Sequence, residues 1–163
     1  AALAGLIRPQ VADVNMVSAP IMVKERGIIV SEVKRDKSGI FDGYIKLTVK
    51  TTLRERSIAG TCFSDGKARF IQIKGINLDA EVGPHMLYVT NKDVPGMIGL
   101  LGTICGKHNI NIANFSLGRD HPGGDAIAML YVDEQIPQAA LDELTAQEAI
   151  KAATPLEFNV GEV

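Results

Sequence analysis

From Gly83-Pro84 onward, short apolar runs and helical stretches follow one another in an order that few folds accept. Met86–Val89 is an apolar run of strand length, and Pro95–Lys107 has helical composition. Asn111–Leu117 and Ala126–Val132 read as strands. They are joined by Arg119-Asp120-His121-Pro122-Gly123-Gly124-Asp125, a stretch rich in hairpin residues. Pro137 opens a second helix to about Thr145, and Ala149–Phe158 contains a last strand. Strand-helix-strand-strand-helix-strand over roughly 75 residues is the split βαβ order of ferredoxin-like folds.

The stretch before Gly83 is less regular. Pro20–Arg26 has helix composition with Pro20 in the first turn, and it stops at Gly27, a residue suited to the position after a helix. Ile28-Ile29-Val30 then favours a strand. Ile45, Leu47 and Val49 alternate with Tyr44, Lys46, Thr48 and Lys50, the period of a half-buried strand. Ser64-Asp65-Gly66-Lys67 marks a turn between strands over Ile58–Phe63 and Ala68–Ile73, and Lys74-Gly75 marks another before Ile76–Ala80. The expected class is α+β: a mixed α/β domain over residues 1–82, then a ferredoxin-like βαββαβ domain over 83–163. The opening Ala1–Leu6 reads as the end of an amphipathic helix cut partway, so the first domain is expected to be truncated. Apolar surface near Leu3, Leu6 and Ile7 is then open to cover by a partner subunit.

Composition narrows the functions. Of the 163 residues, 46% are hydrophobic and 22% charged, which suits a globular chain. A net charge of -2 with a pI near 5.9 gives no general pull toward nucleic acid or anionic lipid. Aromatic residues at 5%, with no Trp, leave little for stacking on bases. Two Cys make neither a disulfide framework nor a thiolate zinc cage. No apolar run is long enough to span a bilayer. The reading is a cytoplasmic protein with no nucleic-acid or membrane partner and no metal.

Catalytic sets are hard to assemble. His85, His108 and His121 lack helical i, i+4 partners, and Cys105 sits among Ile98, Leu101 and Ile104 as a small core residue. Gly96, Gly99, Gly102 and Gly106 match neither a dinucleotide fingerprint nor a P-loop. The last three trace one helix face and imply close packing against another helix or backbone.

Thr90-Asn91-Lys92-Asp93-Val94-Pro95-Gly96 leaves a strand and enters a helix. Pro95 suits the first helical position, and Gly96 leaves the backbone uncovered. Free N–H groups at Met97 and Ile98 beside the positive end of the helix would hold a carboxylate. Asp93 suits an ammonium group, and Asn91 and Asn111 add donors and acceptors if their strands lie side by side. Opposite poles this close describe a site for a free amino acid. The competing reading is that Asp93 caps the helix.

His85–Val89, Asp93-x-Pro95-Gly96 and His108-Asn109-Ile110-Asn111-Ile112-Ala113 together resemble an ACT domain. Leu117-Gly118-Arg119 and Gly123-Gly124-Asp125-Ala126 narrow the resemblance to the regulatory domain of bacterial D-3-phosphoglycerate dehydrogenases. Val14–Pro20, Lys24–Gly27, Gly60-Thr61, Phe70–Gly75 and Asp79-Ala80 resemble the intervening allosteric domain of the long form of that family. The resemblance implies ACT domains paired side by side into homodimers, and tetramers beyond that. L-serine or another small amino acid would be held at the junction by Asn91, Asp93 and the Gly96–Met97 backbone of one subunit and Asn111 of the other. Two positions depart from the pattern: some serine-sensitive members carry His or Tyr at Asn91 and Asn at Asp93. In the intervening domain, Lys67 and Arg69 are candidate anion-binding residues, although a further Arg of the family pattern falls near Glu81. No catalytic residue or cofactor is assigned to this region; NAD belongs to the implied parent dehydrogenase. The alternatives are a ligand-free ACT oligomerisation module, or the regulatory part of an L-serine dehydratase.

Overall fold

The computed structural model describes residues 2–11, 13–34 and 43–160. The chain forms two compact units, Ala1–Gly39 and Ile40–Val163.

The first unit holds two short helices, α1 (Ala2–Ile7) and α2 (Ala19–Glu25). The Asn15 side chain accepts from the Val17 and Ser18 N–H groups, turning the chain into α2, where Pro20 occupies the first turn. At the other end Gly27 has φ 68°. Its N–H donates to Lys24 O and that of Ile28 to Val23 O, the paired bonds of a Schellman stop. Ala4, Ile7, Val14, Ala19 and Val23 are buried together, with Leu3 packed against them. Ile7 is thus covered within the unit itself. Ile28-Ile29-Val30 is not a strand. β-branched composition favours extended backbone, but a strand needs a ladder, and no neighbour pairs with this segment among the described residues.

The second unit is built on two antiparallel sheets. The first runs β1 (Ile45–Lys50), β2 (Glu55–Cys62), β3 (Ala68–Ile73) and β4 (Ile76–Glu81) in sequence order. Lys74 and Gly75, both at positive φ, make the tight turn into β4. The second sheet has the order β6-β7-β5-β8, from β5 (His85–Lys92), β6 (Ile112–Arg119), β7 (Asp125–Val132) and β8 (Ile150–Glu157). Helices α3 (Met97–Lys107) and α4 (Gln138–Thr145) complete the ferredoxin-like βαββαβ order.

Alternation along β5 and β7 sends side chains to two cores. Leu87, Val89, Ala128, Leu130 and Val132 meet Leu101, Ile104 and Cys105 of α3 and Leu144 of α4. Met86, Ile127 and Met129 meet Ile73, Ile76 and Ala80 of the first sheet. The ferredoxin-like sheet is therefore covered by helices on one face and by a second sheet on the other. β6 shows how close the sheets lie: the Ser116 hydroxyl donates to Asp79 O, and a Cβ at Gly118 would strike the Asn77 carbonyl. Cys105 is a buried core residue, and burial pushes its thiol pKa up. The glycine face of α3 is a correction. Nothing lies within 4 Å of a Cβ built at Gly99, Gly102 or Gly106, so in this chain that face is open.

Candidate functional site

β5 delivers Asn91 to the helix-covered face, between Ala126 of β7 and Ile150 of β8. The residue is 1% exposed. Its Nδ2 donates to Lys92 O at 2.7 Å, whereas Oδ1 is buried with no donor opposite it among the described residues. An unmatched buried acceptor costs about 1–3 kcal/mol, so it marks a place where a donor is missing.

The chain then turns sharply. Val94 N–H donates to Lys92 O at 3.0 Å, and Gly96 adopts φ 89°. Gly96 is the N-cap, so α3 begins at Met97 and Pro95 lies outside it, two residues later than the sequence suggested. A Gly N-cap has no side chain to accept from the first turn, and no side-chain cap bond is present. The Met97 and Ile98 amides thus remain at the positive end of an 11-residue helix. Met97 is buried and anchors that end.

Asp93 does not cap α3. Its Oδ2 accepts from Arg119 Nη1 at 2.9 Å and from the Gly123 N–H at 3.1 Å, which ties the loop to the β6–β7 hairpin. These contacts, the Gly123 amide first and the Arg119 guanidinium second, hold the Asp93 carboxyl below the usual carboxylate range. A cavity of about 370 Å³ lies over the loop, walled by Asn91, Asp93, Gly96, Met97, Leu117 and Arg119. That size suits a small molecule. Val94, Ile98 and Leu117 leave large apolar side chains exposed around it.

Of the expected residues, the structure brings Asn91, Asp93, Gly96 and Met97 together and leaves Asn111 apart. β7 separates β5 from β6, and Asn111 precedes the start of β6, at the end of the sheet opposite Arg119. At ~3.4 Å per residue that is roughly 25 Å away. There Asn111 Nδ2 donates to Asp133 Oδ2 at 2.6 Å. Leu117, Arg119 and Gly123 were not expected at the site. The ladder Asn91↔Ala126↔Arg119 brings Arg119 there, and two-strand register was the signal that would have found it.

Lys67 and Arg69 lie together on the β2–β3 hairpin, and carboxylates occupy both. Lys67 Nζ is 2.7 Å from Glu81 Oε1; Arg69 reaches Asp65 at 3.1 Å and Asp79 at 3.3 Å. Each cation is pushed further toward its charged form, Lys67 chiefly by Glu81 and Arg69 chiefly by Asp65. Elsewhere, Glu143 joins Lys107 and His108 at 2.8 Å each, binding α4 to the end of α3. Among the described residues no group of His, Cys, Asp or Glu could hold a metal, and no helix is long and apolar enough to cross a membrane.

A βαββαβ sheet with a small cavity at the start of its first helix defines a regulatory module of the ACT type. Residues 85–149 match the ACT domain model. Residues 1–74 match the model of the D-3-phosphoglycerate dehydrogenase intervening domain. The chain belongs to the D-3-phosphoglycerate dehydrogenase family, as its intervening-plus-ACT regulatory region. It is 34% identical over 154 residues to the D-3-phosphoglycerate dehydrogenase of Synechocystis sp., covering 94% of this chain and 28% of that protein. To the enzyme of that name from Archaeoglobus fulgidus it is 34% identical over 161 residues, covering 97% and 30%. For the Bacillus subtilis enzyme the figures are 34% over 146 residues, 89% and 28%. The chain thus spans less than a third of the length of these relatives.

Proposed function

We propose that this chain senses an amino acid, L-serine first among candidates, on behalf of an NAD-dependent D-3-phosphoglycerate dehydrogenase in the cytoplasm. The observation that carries the reading is Asn91, whose Oδ1 is buried and unmatched among the described residues, beside a cavity that it lines together with Asp93 and the uncapped start of α3. An α-ammonium group would give Asn91 its missing donor and take the remaining oxygen of Asp93. An α-carboxylate would accept from the Met97 and Ile98 amides.

The same reading makes the site intersubunit. β6 is an edge strand, so a second copy can extend the sheet. An antiparallel pairing centred on the middle of β6 would set Asn111 of one copy opposite Asp120 of the other, next to Arg119. The exposed Val94, Ile98 and Leu117 support such cover. Binding would then couple to the parent enzyme through a preference for one of its states. The division into an intervening domain ending near residue 82 and an ACT domain from 83 belongs to this proposal. The intervening-domain match favours a dehydrogenase over the dehydratase alternative.

The test is calorimetric titration of the purified chain with L-serine, using D-serine and glycine as controls and sedimentation to follow assembly. Saturable binding that favours the L-form is expected. A dimer that takes up no serine, with an unchanged melting temperature, would leave the ligand-free assembly module in its place.

A further inference from the structure

The cavity wall carries two formal charges, Asp93 and Arg119; the rest is apolar, amide or backbone. The two meet at 2.9 Å through Arg119 Nη1 and Asp93 Oδ2. Oδ2 also takes the Gly123 N–H, while Oδ1 has no protein donor among the described residues. The Arg119 side chain is 55% exposed and is held at one nitrogen, so its other N–H groups are open to solvent or ligand. A guanidinium does not deprotonate in this setting, and Asp93 is held below the usual carboxylate range. The cavity therefore stays neutral overall at physiological pH.

We propose that Arg119 is a specificity-determining residue of the effector site: by cancelling Asp93 it makes the cavity select amino acids of zero net charge. This rests on the reading of the cavity as an amino-acid site. A zwitterion brings one positive and one negative pole, and the wall offers one set of partners for each. The acceptors are Asn91 Oδ1 and Asp93 Oδ1; the donors are the α3 amides and Arg119. A ligand with a second ammonium group would meet Arg119 with no carboxylate left over, and one with a second carboxylate would meet Asp93. Without Arg119 the balance tips: Asp93 is uncompensated, and cationic amino acids gain over neutral ones.

The experiment is calorimetry at neutral pH with three probes: L-serine, L-diaminobutyrate, which carries one extra positive charge, and L-aspartate, which carries one extra negative charge. The wild-type chain is expected to bind L-serine more tightly than either. Arg119→Gln is expected to move the diaminobutyrate-to-serine ratio about tenfold toward diaminobutyrate, and to weaken aspartate further. Arg119→Lys keeps the charge and should keep the wild-type order. The double variant Asp93→Asn/Arg119→Gln is neutral again and should restore selection against both charged probes, which a merely structural role for Arg119 would not produce. Melting curves by circular dichroism verify folding, and Arg119→Met serves if the Gln variant does not fold. Wild-type-like ratios in the folded Arg119→Gln or Arg119→Met variant would overturn the proposal alone. Failure of the wild-type chain to bind L-serine at all would overturn the amino-acid reading, and this proposal with it.

Discussion

Two of the places where cations meet carboxylates in this molecule differ in what is left over. On the β2–β3 hairpin, Lys67 and Arg69 face Asp65, Asp79 and Glu81, so carboxylates outnumber cations and each cation is engaged. At the start of α3, one carboxylate meets one guanidinium beside a buried amide oxygen with no donor and helix amides with no cap. The first arrangement cancels its own positive charge with three carboxylates, although Arg69 Nε is left buried without an acceptor. The second leaves groups of both polarities waiting. Residue type alone would rank the hairpin as the stronger anion site; the carboxylates packed around its two cations reverse the order.

The largest expected effect comes from filling the unmet acceptor with carbon. Asn91→Leu should weaken L-serine binding by about 10- to 100-fold, the worth of a hydrogen bond to a charged group. It should leave the melting temperature equal or higher, because a buried unpaired oxygen is removed. A variant that binds serine normally would break the comparison. Asp93→Asn comes next, with a loss of about tenfold measured by the same titration. It also changes acid stability. Asp93 is held below its ordinary value, so its stabilising contribution is complete above about pH 4 and is lost as pH falls through the depressed value. The variant should therefore show a shallower acid limb in melting temperature against pH.

A third substitution turns one region into the other. Asp79→Asn/Glu81→Gln leaves Lys67 and Arg69 with Asp65 alone. Phosphate should then raise the melting temperature of the double variant in a saturable, salt-sensitive way. The smallest effect is on the wild-type chain, for which phosphate should produce no resolvable shift. Saturable stabilisation there would restore Lys67 and Arg69 as an anion site.

Much of this was legible in the sequence because local chemistry fixed it. Gly27 stops α2, the Asp65-Gly66 and Lys74-Gly75 turns join β2 to β3 and β3 to β4, and Pro137 precedes α4. Periodicity then separated four strands and two helices in the βαββαβ order. What stayed hidden depends on partners distant in sequence. Asp93 looked like a helix cap because a carboxylate near a helix start usually is one, yet a hairpin some thirty residues on claims it. Ile28-Ile29-Val30 has strand composition without a strand beside it. Asn91 and Asn111 look like neighbours only until the order β6-β7-β5 sets a strand between them. The glycines along α3 imply a packed face, and in one chain that face is bare.

The most direct test follows the Asn91 side chain itself. Its amide protons and nitrogen, assigned by loss of the signal in Asn91→Leu, can be monitored by NMR while L-serine is added. The account predicts that the Asn91 side-chain resonances shift and saturate at the same serine concentration as the calorimetric heat, because Oδ1 gains the donor it lacks. Serine binding that saturates while those resonances stay still would contradict it, and would move the site away from the start of α3.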